Sequence, residues 1–155
     1  MSQTWTASSG STPAIWVRRA IGVLEAIPYW FVALTTRVAI AGVFWQSGQT
    51  KVEGFRVSEN AVELFRSEYQ LPLIDTVIAA TLAAIAEHLF PVLLVIGLAT
   101  RFSALALLGM TLVIQIFVYP DAWPTHGTWA ACFLMLMTRG AGQISLDHLI
   151  AKRCG

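Results

Sequence analysis

Residues 72–99 read "PLIDTVIAATLAAIAEHLFPVLLVIGLA". A helix that crosses a bilayer needs about 20 mostly apolar residues, and this stretch satisfies that requirement. Asp75 stands near one end, where water reaches it, whereas Glu87 and His88 stand in the middle. Three further segments have the same character, at about residues 28–48, 102–119 and 126–142. Of the 155 residues, 56% are hydrophobic and 12% charged. Ordinary soluble domains carry about 25% charge, so the composition points to a membrane protein with the lipid bilayer as its main partner.

A backbone in lipid must satisfy its own hydrogen bonds, and continuous apolar runs do so as helices. The short joins "LATRF" (98–102) and "PDAWPT" (120–125) make consecutive helices antiparallel. The expected fold is an all-α membrane protein, a four-helix transmembrane bundle. Residues 1–27 are expected as a polar N-terminal tail and approach to the membrane, with "TASSGSTP" (6–13) disordered. Residues 28–150 form the transmembrane domain, and 151–155 a cytoplasmic tail.

Lys and Arg set orientation. With N-in/C-in topology the inner side holds Arg18, Arg19, Arg101, Arg139, Lys152 and Arg153. Lys51, Arg56 and Arg66 then share an outer loop with four glutamates. In that loop Val62, Phe65 and Tyr69 recur at helical spacing among charged residues. A short amphipathic segment is expected, lying either on the outer membrane face or as a lid over the bundle.

Ionisable groups at membrane depth are costly and normally face the bundle interior. Glu87 shares a helix stripe with Ala80, Ala83 and Ala84, and Arg37 shares one with Ala33 and Ala41. Small residues at such spacing let helices approach closely. Counted from the ends of their segments, the two charges lie at similar depths, so an Arg37–Glu87 ion pair is expected. Two readings of that pair stay open: a structural lock on helix register, and a polar site for a proton, a quinone head group or another small ligand. Pro91 has no N–H for the carbonyl of Glu87 four residues back, and a kink there would open a polar pocket. His88 points about 100° away from Glu87 and reads as a hydrogen-bonded helix contact. Nearer the outer surface, Gln115 and His126 are candidates for lining a shallow pocket, while Trp45, Trp123 and Trp129 suit an interfacial aromatic belt.

Other chemistry finds no support in the sequence. The net charge of +1 with no Lys/Arg cluster excludes a polybasic nucleic-acid binder. Cys132 and Cys154 have neither disulfide-frame nor zinc spacing. No nucleotide-binding, nucleophile-elbow or HExxH pattern occurs, so neither a catalytic residue nor a metal ligand is assigned. In "TRGAGQISLD" (138–147) a helix stops and another starts, with Ser145 as N-cap and Asp147 in its first turn.

Several of these features occur together in a fixed order. Arg37 is followed by "WQSGQTK" (45–51, with Gly48 and Lys51), and Glu87 by "GLATR" (97–101, with Arg101). His126 opens the fourth segment, and "GAGQISLD" (140–147, with Gly140, Gly142, Ser145 and Asp147) closes the set. Over about residues 29–150 this pattern resembles the DoxX family. The chain departs from it at Ala141, where many relatives have proline, and in the separation of His126 from Trp129. "EYQLP" (68–72) and "YPDAW" (119–123) are similar to a subgroup associated with metal-stress or metallophore-type operons.

The resemblance implies an inner-membrane subunit of bacterial type that supports a redox, quinone-linked or metal- and thiol-stress system. Quinone is the candidate cofactor, bound near Arg37 and Glu87. The alternatives are a non-catalytic anchor or assembly partner for an exported or redox protein docked at residues 49–71, and a small-molecule or metal transporter acting as a homo-oligomer.

Overall fold

The computed structural model describes residues 12–69 and 74–154. The expectation of disorder at residues 6–11, and the proposed span start at Pro72, lie outside the described residues. The helices are α1 (Thr12–Glu25), α2 (Tyr29–Gln49), α3 (Glu59–Leu64), α4 (Thr76–Ile96), α5 (Thr100–Phe117), α6 (Trp123–Arg139) and α7 (Leu146–Cys154). A two-residue hairpin, β1 (Val52–Glu53) with β2 (Arg56–Val57), joins α2 to α3.

α4 and α5 are each long and apolar enough to cross a membrane. α1 and α2 meet that condition together, as a pair bent by 61° around the Ala26–Pro28 break. Outward-facing Ile78, Leu82, Ile85 and Leu89 on α4, and Phe102, Leu105, Leu112 and Ile116 on α5, are exposed. In water such rows would be unfavourable, whereas lipid is their natural solvent. The inward faces of α2, α4, α5 and α6 share one core. It comprises Ile40, Ala41 and Phe44, Leu94, Ala104 and Leu107, and Phe133 and Leu136.

Local chemistry sets the helix ends. Asp75 caps α4 by accepting from the amides of Val77 and Ile78 at 2.9 and 3.2 Å. Gly97 ends α4 in the left-handed region, at φ +70°, which a glycine adopts without steric penalty. α4 runs unbroken through Pro91, whose ring is fully buried. Pro28 precedes the first turn of α2, and Pro124 sits in the first turn of α6, both positions where proline is tolerated.

One expectation changes here and another is narrowed. Residues 12–25, read as a polar approach, form helix α1, with Trp16, Val23 and Leu24 exposed. The amphipathic segment expected between Val62 and Tyr69 does form, as α3 followed by a π-helical turn at Phe65–Tyr69. Phe65 and Tyr69 are buried in a cluster with Ala79 and Ala80 of α4, edged by Ile114 and Val118. The apolar face therefore covers α4 and α5, which is the lid reading.

Candidate functional site

Glu87 lies on the buried face of α4 and is 1% exposed. Its carboxylate meets Lys51, just beyond the end of α2, with Nζ 2.8 Å from Oε2 and donating to Oε1 at 3.1 Å. Ser47, one turn before Lys51, donates to the same Oε1 at 3.2 Å and accepts from Lys51 Nζ at 3.0 Å. Lys51 is itself only 4% exposed, so its aliphatic stem is packed and its ammonium points inward. A buried charge is tolerable when paired and hydrogen-bonded, and this three-residue cluster supplies both conditions. Gly48 makes the approach possible, because a Cβ there would stand 2.9 Å from His88 Cε1 and 3.1 Å from Glu87 Cβ.

The expected Arg37–Glu87 ion pair does not form. Arg37 meets α4 near its end, donating through Nη1 to the carbonyl of Leu94 at 3.3 Å and through Nη2 to that of Ile144 at 2.5 Å. Leu94 is seven residues beyond Glu87, about 10 Å along the axis at the helical rise. Arg37 thus acts as a cation at the C-terminus of α4, where unpaired carbonyls and the helix dipole favour positive charge. The polar pocket expected from a Pro91 kink is replaced by the Ser47–Lys51–Glu87 cluster.

Sequence reasoning missed Ser47 and the role of Lys51 as partner. The signal was present: Arg37, Phe44 and Lys51 repeat every seven residues, which continues the buried stripe of α2 onto the lysine. His88, one residue from Glu87, engages Ala84 O through Nδ1 at 2.7 Å and Gln49 Nε2 through its Nε2 at 2.9 Å. Its ring stands edge-on to Trp45, with centroids 5.1 Å apart.

Glu87 also borders a cavity of about 250 Å³ between the lid and the α4–α5 pair. Phe65, Tyr69, Ala83, Met110 and Ile114 contribute apolar walls. Tyr69 stacks on Phe65, with ring centroids 4.1 Å apart. Burial, reinforced by the negative charge of Glu87, pushes the Tyr69 hydroxyl up to about 12. Tyr119 fastens the lid from the α5–α6 join by donating to Glu68 Oε2 at 2.6 Å. That hydrogen bond, followed by burial, raises the Tyr119 pKa.

The other candidates form separate groups. Gln115 Oε1 lies 2.7 Å from His126 Nδ1, while its amide donates to the carbonyl of Pro120 at 2.6 Å. His126 is buried against Trp129. At the opposite end of the bundle Asp147 accepts from the amides of Ala99 and Thr100 at 2.7 and 2.9 Å. Its carboxylate thus caps α5 rather than its own helix. Ser145 Oγ accepts from the amide of His148 at 3.2 Å, the N-cap geometry for α7. Gly142 lies against Ala33 and Trp30 of α2, and Arg101, beside Gly140, donates to the carbonyl of Met137 at 2.7 Å.

The family model for DoxX matches residues 32–120, which contain Arg37, Ser47, Lys51, Glu87 and Gln115. A protein of Haemophilus influenzae, described only as uncharacterized, is 32% identical over 129 residues, covering 77% of this chain and 83% of its own. No solved structure matches the chain. With more than half its length under the family model, and apolar helices built to face lipid, the chain is a membrane protein that belongs to the DoxX family.

Proposed function

We propose that the chain is a small inner-membrane subunit of a redox or thiol-stress system, with a lipid-borne quinone bound beside Glu87. In this reading α2, α4, α5 and α6 are four spans, with both termini cytoplasmic and the hairpin and lid on the outer side. One observation carries it: the buried carboxylate of Glu87, paired with the Lys51 ammonium, borders an otherwise apolar cavity. Ligand sites of this kind combine apolar walls with a few placed polar groups. A quinone ring matches the walls, and Glu87, held in place by Lys51 and Ser47, handles a proton at the cavity's edge. The bound quinone would supply two-electron carrier chemistry, with electrons delivered by a partner protein. Bound to that cavity, it makes the chain a quinone-binding subunit rather than a catalyst in its own right.

The test is purification in mild detergent, then organic extraction and mass analysis of bound quinone. Stoichiometric quinone in the wild type that is lost in Glu87→Gln and Ser47→Ala, with helicity by circular dichroism unchanged, supports the reading. Quinone content equal in wild type and folded variants sinks it.

A second reading, docking of an exported partner on residues 49–71, is favoured by Phe55. It stands fully exposed at the hairpin tip, beside exposed Arg56. A photo-crosslinker at position 55 that captures no exported protein in cells would remove this reading.

A further inference from the structure

The end of the bundle opposite the lid holds a second cavity, of about 720 Å³, between the start of α2, the α4–α5 turn and the segment joining α6 to α7. Its chemistry differs from that of the Glu87 cavity. Two arginines, Arg101 and Arg139, line it, and Asp147 is the one carboxylate among the described lining residues. Both Asp147 oxygens already accept backbone amides of the α5 N-terminus. Among the described residues neither arginine forms an ion pair.

Both guanidinium groups are nevertheless positioned. Arg101 is tied by Nη1 to the carbonyl of Met137. Arg139 lies over the Tyr29 ring, 5.8 Å from its centroid, and Tyr29 is fixed in turn by donating to the carbonyl of Gly140 at 2.8 Å. Gly140 has no side chain to fill the space beside the remaining nitrogens of Arg101, which lie 3.5 and 3.6 Å from where a Cβ would stand. Two oriented guanidinium groups on the wall of one open cavity describe a receptor for a multi-oxygen anion.

The geometry points to a phosphate-group site at this end of the bundle, with Arg101 and Arg139 as the anion-binding residues. The phosphate belongs either to the headgroup of an anionic phospholipid or to a free phosphate. Phe102 and Trp30 also line the cavity, and they give a lipid glycerol backbone an apolar surface to lie against. A guanidinium delivers two parallel N–H donors to a phosphate, which an ammonium cannot reproduce.

The experiment uses the full chain in dodecyl maltoside with three probes: phosphatidylglycerol, phosphatidylcholine and inorganic phosphate. Native mass spectrometry reads lipid retention, and isothermal titration reads phosphate at constant ionic strength. Selective retention of phosphatidylglycerol over phosphatidylcholine, weakened about tenfold or more in Arg101→Gln/Arg139→Gln, supports the site with a lipid source. Phosphate binding that competes with phosphatidylglycerol and shows the same loss supports it with a free-anion source. Arg66→Gln, at the far end and paired with Glu63, should leave both readouts unchanged. If the double glutamine variant does not fold, Arg101→Lys/Arg139→Lys keeps the charge and should still lose most of the affinity. Equal retention of the two lipids with no phosphate binding, or binding unaffected by either double variant, overturns the proposal.

Discussion

Lys51 and Glu87, 36 residues apart in the chain, face each other at 2.8 Å with both side chains almost fully buried. Removing one partner of a buried pair strands a charge and typically destabilises by about 3–5 kcal/mol, whereas replacing both is often near neutral. Lys51→Met alone should therefore lower stability by about that amount, and Lys51→Met/Glu87→Leu should recover most of it. Thermal unfolding in detergent, followed by circular dichroism, reads both.

Arg37 and Glu87 should behave as independent sites. Arg37→Leu orphans the carbonyl of Ile144 and weakens the end of α4, at a cost of about 1–3 kcal/mol per unsatisfied group. Combined with Glu87→Gln, the effects should add within about 0.5 kcal/mol. A coupling energy above about 1 kcal/mol in the double-mutant cycle would show that the two charges do interact.

Gly48 is expected to tolerate no side chain while His88 is present. Gly48→Ala pushes a methyl into the imidazole, 2.9 Å from Cε1, and overpacking of this kind costs about 1–3 kcal/mol. Gly48→Ala should cost less in a His88→Ala background, since the nearest obstructing atoms are gone. Equal losses of melting temperature in both backgrounds would place the strain elsewhere.

Alkaline pH should loosen the lid. The Tyr69 hydroxyl is raised from its ordinary 10.0 to about 12 in the folded state. Its folded state thus holds a proton that the unfolded chain releases. The associated stability is fully present below pH 10.0 and is lost as pH rises toward about 12. Absorbance at 295 nm should show a late-titrating tyrosine that disappears in Tyr69→Phe. Tyr119, raised in the same direction by Glu68, should titrate earlier in Glu68→Gln.

Asp147→Ala removes the carboxylate that caps α5 from another helix. Loss of an N-cap costs about 0.5–2 kcal/mol. Hydrogen exchange at Ala99 and Thr100 should rise more than at the amides of α7, because those two amides are the ones Asp147 holds.

Hydropathy made the long helices legible. α2, α5 and α6 fall within a few residues of the segments read from the sequence, and α4 lies wholly inside 72–99. Apolar runs are local signals, and they survive folding unchanged. The partner of Glu87 was not local. Depths counted from span ends treated α2 and α4 as level, but α2 is displaced along α4, so that Gly48 meets Glu87 while Arg37 meets Leu94. Each misjudged boundary of three residues shifts a depth by about 4.5 Å, enough to exchange one cation for another. Helix α1 was overlooked because Arg18 and Arg19 interrupt its apolar residues, although Trp16, Val23 and Leu24 share one face. Gln115 and His126 are candidates for lining a shallow pocket, and the structure joins the two side chains at 2.7 Å. The arginine cavity joins residues from three places in the chain, which no window of sequence displays.

The bond from Arg37 to the carbonyl of Ile144 spans 107 residues. At roughly 5–20 residues per second of synthesis, about 5–20 s separate the emergence of the arginine from that of its acceptor. For that interval the first apolar helix carries a guanidinium whose final partner does not yet exist. Until Ile144 arrives, that guanidinium lacks the carbonyl that holds its Nη2. Synthesis of the α6–α7 join is therefore also the moment at which the first helix of the core gains its last polar partner.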